Sequence, residues 1–219
     1  MRLPFRAYLI TDRRLAPGQD PAGLVGLVRR ALEGVPPGAV AVQLREKDLD
    51  ARTLYALARD LAQVTHAAGA HLLVNDRVDV ALAAGADGVH LAGHSLPAAE
   101  ARRLLGPERL LGASAHNLTE ARAARDGGCD FATYSPIFAT PSKARYGPPL
   151  GVDALAEAVR ALAGFPLVAL GGITLENAPA CRDAGARAGA VIRAVFAADE
   201  PAGASRDLAQ AFTQGALHP

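Results

Sequence analysis

Residues 71–91 read HLLVNDRVDVALAAGADGVHL. The run opens on a short apolar strand, His71 to Val74, and passes through the polar pair Asn75 and Asp76 into a helical segment beginning near Arg77. Gly85 is placed to stop that helix, and a second apolar strand follows from Gly88 to Leu91. Short, continuously apolar strands are those of a sheet covered on both faces.

The same strand-then-helix pattern runs along the chain. Ala7 to Thr11, Ala39 to Leu44, Leu111 to Ser114, Phe131 to Tyr134, Leu167 to Leu170 and Gly189 to Ile192 read as further buried strands, eight in all. Between them lie segments rich in Ala, Leu and Arg. In one, Asp50 to Ala68, Leu54, Leu57, Leu61 and Val64 recur at helical spacing and Gly69 supplies a stop. Helix starts are marked at Asn117-Leu-Thr-Glu120, a capping-box spacing, and at Thr174. With no linker or low-complexity break, the pattern predicts one α/β domain over residues 1–219, a closed (β/α)8 TIM barrel. An open doubly wound sheet is the alternative.

Composition narrows the class of ligand. Half of the 219 residues are hydrophobic, and 23 basic residues nearly balance 22 acidic ones. The chain has no polybasic tail and no acidic block, which argues against nucleic acid or a membrane surface as partner and for a small molecule. No apolar run reaches bilayer-spanning length and the N-terminus lacks a signal-peptide core, so a cytoplasmic location is expected. Cys129 and Cys181 lack CxxC spacing and read as buried, reduced thiols.

A barrel concentrates its chemistry at the carboxyl ends of the strands. Polar residues gather there. In AVQLREK (residues 41–47), period-two alternation would set Gln43, Arg45 and Lys47 on one face. Lys47 and Lys143 are the only lysines among the 23 basic residues, and a lysine suits close approach to a phosphate as a point charge. Asn75 and Asp76 follow strand three, Ser114 and His116 strand five, and Thr140, Ser142 and Lys143 strand six. Gly171-Gly172 and the segment Gly189 to Arg193 stand where the backbone of such barrels commonly receives a phosphate.

Several stretches, taken in order, resemble one family: YLITD (8–12), VQLREK (42–47), LLVNDRVDVALAAGADGVHL (72–91), GASAHNLTEA (112–121), SPIFATPSK (135–143) and ALGGIT (169–174). The chain resembles the thiamine phosphate synthase and thiazole tautomerase (TenI) family over most of its length, and the synthases more than the tautomerases. The resemblance implies an oligomeric, magnesium-dependent transferase of thiamine biosynthesis. It would join hydroxymethylpyrimidine diphosphate to thiazole phosphate and release diphosphate. It further implies that Arg45, Lys47 and Lys143 stabilise the leaving diphosphate and that Gln43 binds the pyrimidine. Asn75 would orient diphosphate or pyrimidine, Asp76 would hold magnesium, and Ser114 would contact the substrate. Thr140 and Ser142 would donate to the diphosphate, and Gly172, Ile192 and Arg193 would seat the thiazole phosphate; His116, beside the substrate, is available as a proton-transfer group whether the chain is a synthase or a tautomerase.

One departure opens alternatives. Relatives usually read His-Leu-Gly-Gln-x-Asp after strand four, whereas this chain reads HLAGHSLP (90–97), with Ser95 at the second metal-binding Asp. A hydroxyl is a weaker magnesium ligand than a carboxylate. That favours either a tautomerase, which needs no magnesium, or a non-catalytic barrel that binds thiazole phosphate. Against the tautomerase, this chain has Pro136 where that branch places a catalytic His. Other readings stay local: Asp76 as a helix cap, Arg45 and Glu46 as strand-end charges, His66 and His71 as structural, and His90 with His94 as a zinc pair.

Overall fold

A computed structural model describes residues 3–140 and 148–213. Eight strands run in order: β1 (Ala7–Ile10), β2 (Val40–Leu44), β3 (His71–Asn75), β4 (Gly88–Leu91), β5 (Leu110–Ala115), β6 (Phe131–Tyr134), β7 (Leu167–Leu170) and β8 (Ala188–Val191). Each pairs in parallel with the next. β1 also pairs with β8, through Ala7 with Gly189 and Tyr8 with Ala190, so the sheet closes on itself as a barrel. The open doubly wound sheet is thereby excluded, and every strand bound falls within one residue of its expected place.

Helices α1 (Pro21–Ala31), α2 (Ala51–Ala67), α3 (Val78–Ala84), α4 (Ala98–Leu105), α5 (Leu118–Asp126), α6 (Gly151–Ala161) and α7 (Ala178–Asp183) fill the connections, and α8 (Arg193–Phe196) and α9 (Pro201–Ala211) follow β8. α2 shows how the sequence makes them. Asp50 accepts a hydrogen bond from Thr53 N–H at 3.0 Å as N-cap, and Leu54, Leu57, Ala58, Leu61 and Ala62 form the buried stripe. Each buried leucine contributes about 1.5–3 kcal/mol. The capping box at Asn117 forms as expected, with Glu120 N–H donating to Asn117 Oδ1 at 2.9 Å. Thr174 does not start a helix: it closes a turn with Asn177, whose Oδ1 accepts Thr174 N–H, and α7 begins at Ala178.

Alternation divides the apolar residues into two cores. Leu9, Val42, Leu44, Leu72, Val74, Val89, Leu111 and Val191 face out under the helices. Tyr8, Ile10, Ala41, Leu73, Phe131, Val168, Ala188 and Ala190 face in, with Phe5 below them. Phe131 meets Phe5 and Tyr8 edge-on at 5.4 and 5.6 Å between ring centroids. Gly112 makes room for this ring, since a Cβ there would lie 2.3 Å from Phe131. The lower barrel is thus plugged by aromatic packing, and the open end is the carboxyl end.

Candidate active site

Gln43, Asn75, His90 and Ser114 bring polar groups to the inward face above the aromatic plug. Gln43 and His90 are each only 2% exposed. Four side chains form a continuous chain across the barrel. Gln43 Nε2 donates to the Tyr8 hydroxyl at 2.9 Å, that hydroxyl lies 3.3 Å from His90 Nδ1, and His90 Nε2 lies 3.1 Å from Ser114 Oγ. Burial first, and the Arg45 charge second, push the His90 ring down to about 3, so the imidazole is neutral at physiological pH. Burial likewise pushes the Tyr8 phenol far above its ordinary range, and it stays protonated.

Arg45, Glu46 and Lys47 lie beyond the end of β2, and Lys47 stands exposed in a turn. Strand alternation therefore does not set Lys47 on the face of Gln43, correcting the expectation of three aligned side chains. Glu46 fixes this segment instead. Its carboxylate accepts from Thr11 Oγ1 at 2.8 Å, Arg13 N–H at 3.1 Å and the Arg13 guanidinium at 3.1 Å. Thr11 Oγ1 in turn accepts Arg45 N–H at 2.9 Å. Arg13 also forks onto Asp48, at 2.6 and 2.7 Å. Glu46 is a buried anchor, which replaces its reading as an ordinary strand-end charge.

Asp76 follows β3 with φ at +67°, in the left-handed region that non-glycine residues seldom occupy. Its N–H donates to His90 O at 2.9 Å, and Arg77 N–H folds back to Asn75 O at 2.8 Å. Asp76 does not cap α3: Arg77 holds the cap position, without a side-chain bond. The Asp76 carboxylate makes no hydrogen bond among the described residues, and His94 is 3.9 Å away. Backbone strain held at a polar strand end is characteristic of functional positions.

Ser95 is turned toward its own loop. Its Oγ accepts Ala92 N–H at 2.7 Å, and Ser95 N–H returns to Ala92 O at 3.0 Å. His90 and His94 do not form a zinc pair: His90 points into the barrel, His94 is exposed, and no group of three His, Cys, Asp or Glu side chains converges among the described residues. A single carboxylate on a constrained turn matches the chemistry of magnesium, which commonly takes one or two carboxylates plus substrate phosphate oxygens. The residues present fit a magnesium ion that would take one carboxylate from Asp76 and its remaining oxygens from elsewhere, not one caged by protein alone.

The remaining strand ends complete the rim. His116 Nδ1 lies 3.0 Å from Glu120 Oε2, at the start of α5. Thr140 follows β6, while Ser142 and Lys143 lie outside the described residues. Gly172 has φ at +66°, and a Cβ there would lie 2.8 Å from Ala139 O, so glycine lets the loop after β7 pack against the loop after β6. Ile192 and Arg193 form the start of the short α8, and Arg193 is exposed. Gly189 belongs to β8, not to the following loop. Its missing side chain makes room for Phe212, 2.5 Å from where a Cβ would stand, so it serves packing and not phosphate approach.

Sequence reading missed Tyr8 and His90 as members of one polar chain, and Thr11 and Arg13 as anchors. Period-two alternation could have set Tyr8 beside Gln43, but nothing in the sequence gives the distance across the barrel. Comparisons with known proteins agree with this fold. Residues 7–195 match the family model described as thiamine monophosphate synthase. A thiamine-phosphate synthase of Anaeromyxobacter dehalogenans is 49% identical over 199 residues, 90% of this chain and 86% of that protein. One from Roseiflexus sp. (strain RS-1) is 45% identical over 201 residues, covering 92% and 82%. The solved thiamine phosphate pyrophosphorylase of Pyrococcus furiosus superposes with a TM-score of 0.84 at 36% identity, covering 97% and 98% of the two chains.

Proposed function

The chain belongs to the thiamine monophosphate synthase family, and from that premise we propose that it condenses hydroxymethylpyrimidine diphosphate with thiazole phosphate to give thiamine phosphate and diphosphate. The observation that carries the reading is the likeness to synthases over nearly the whole chain, joined to a polar mouth above a plugged barrel. No described helix is long and apolar enough to cross a membrane.

The chemistry follows from charge. Breaking the pyrimidine methylene carbon–oxygen bond leaves the electron pair on diphosphate and a cation on carbon. The thiazole nitrogen lone pair then forms the new carbon–nitrogen bond. Arg45, Lys47 and Lys143 stabilise the departing diphosphate, with Thr140 and Ser142 donating hydroxyls to it; cations placed in advance lower the barrier where charge develops. Gln43 and Ser114 hold the pyrimidine, Asn75 orients it against the diphosphate, and His116, beside Glu120, borders the substrate at the rim. Gly172, Ile192 and Arg193 seat the thiazole phosphate. Asp76 would hold a magnesium ion, which would supply further neutralisation of the leaving group, and Ser95 would lend it no charge. The protein works as a single barrel domain within a homo-oligomer.

Mass-spectrometric detection of thiamine phosphate, formed only when both substrates are supplied, is the expected result. Isomerisation of a thiazole carboxylate phosphate without any condensation would overturn the proposal in favour of a tautomerase.

A further inference from the structure

Resting on the proposed pyrimidine site, we infer that Tyr8 and His90 are positioning residues which fix the direction of the Gln43–Tyr8–His90–Ser114 chain, so that Ser114 offers a proton to an unprotonated ring nitrogen of the substrate. Each link constrains the next. Gln43 Nε2 donates to the Tyr8 oxygen at 2.9 Å, so the phenol proton is free to go to its other neighbour, His90 Nδ1, at 3.3 Å. A neutral imidazole that accepts at Nδ1 carries its hydrogen on Nε2. That hydrogen points to Ser114 Oγ at 3.1 Å, and the serine oxygen becomes an acceptor.

The serine then has one proton left to place. Thr133, its register partner on β6, has a buried hydroxyl with no partner among the described residues, so it does not take that proton. Tyr8 and His90 are buried while Ser114 is only partly so. The proton therefore emerges at the wet end of the chain. The opposite direction would need Gln43 to present its carbonyl oxygen to Tyr8, and Ser114 would then spend its proton on His90 Nε2 and offer the substrate only lone pairs. A charged His90 would need Tyr8 to accept from both Gln43 and His90, stranding the phenol proton in the barrel core. Unpartnered buried donors are costly.

The test is the tautomer of His90 in protein labelled with 15N-histidine, read from two-bond proton–nitrogen correlations and assigned by the signals missing in His90→Asn. The wild type should show Nε2 protonated and Nδ1 bare. Ser114→Ala should keep that pattern because Tyr8 still donates, whereas Tyr8→Phe should lose it. In turnover, Tyr8→Phe should lower kcat about tenfold, equivalent to one misplaced hydrogen-bond donor, with KM for thiazole phosphate unchanged. A wild-type His90 protonated on Nδ1, or on both nitrogens, overturns the inference. So does a Tyr8→Phe variant with the wild-type pattern and kcat. The spectrum needs no turnover, so an inactive protein with the expected tautomer would refute the synthase proposal and leave the direction of the chain standing.

Discussion

Glu46 Oε1 accepts the Thr11 hydroxyl proton at 2.8 Å, joining the end of β2 to the end of β1 with a carboxylate only 4% exposed. Thr11 passes the constraint to Arg45 N–H, and Arg13 supplies the countercharge. Truncating Glu46 leaves a guanidinium and a hydroxyl without their partner. Glu46→Ala should lose about 2–3 kcal/mol, less than a fully buried pair because Arg13 is partly exposed. Thermal unfolding should show a Tm lower by about 4–12 °C. Glu46→Gln, which keeps the Thr11 contact, should lose about half as much. An unchanged Tm in both variants would deny Glu46 its anchoring role.

Arg45 and Lys47 are assigned to diphosphate, not to the fold. Arg45→Ala and Lys47→Ala should each lower kcat/KM about 10²- to 10³-fold, the scale set by removing one group that stabilises developing charge. Lys47 is exposed, so its removal should leave Tm unchanged. A loss below threefold would place the cation elsewhere.

Magnesium binding should follow carboxylate count. Asparagine tolerates left-handed backbone, so Asp76→Asn keeps the turn and removes only the charge. It should raise the magnesium concentration for half-maximal activity at unchanged Tm. Ser95→Asp should lower that concentration, provided the new carboxylate turns from Ala92 to the metal. Titrations indistinguishable from wild type in both variants would remove Asp76 and position 95 from the metal site.

The cysteines should be inert in the folded state. Burial pushes Cys129 up to about 12, aided by the Asp130 charge, and Cys181 up to about 11. Since the thiolate is the nucleophile, neither should react with iodoacetamide at pH 8 without denaturant, and both should react in guanidinium. Stoichiometric alkylation of the native protein would contradict their placement.

Asp87 predicts acid sensitivity at the amino-terminal end of the barrel. Burial raises its carboxyl. That is outweighed by His71, whose Nδ1 is 3.9 Å away, by Leu72 N–H at 2.7 Å and by His66 Nε2 at 3.0 Å, and the carboxyl is held at about 2. A carboxyl depressed on folding stabilises the protein above its unfolded pKa of about 3.9 and loses that contribution as pH falls toward 2. Asp87→Asn should therefore destabilise the protein at pH 7 and make little difference at pH 2. An equal effect at both values would rule out the charge as the cause.

The fold was legible because each strand is a short apolar run with a helix stop before the next, as in residues 71–91, and closure by β1 and β8 needed only the count of eight. The rim residues were legible because they end those strands. What was not legible depends on distance between strands remote in sequence. Tyr8 and His90 are separated by 82 residues and Thr11 from Glu46 by 35, and no local pattern announces either contact. Alternation also fails where a strand stops, which is why Lys47 could not be placed from AVQLREK alone.

The measurement that bears most directly on the central claim is the stoichiometry of diphosphate and thiamine phosphate formed by the purified protein with magnesium and both substrates. Release of one diphosphate per thiamine phosphate, abolished by omitting the thiazole phosphate and reduced in Arg45→Ala, is the expected result. No release with both substrates present would contradict the assignment of this barrel as a thiamine phosphate synthase.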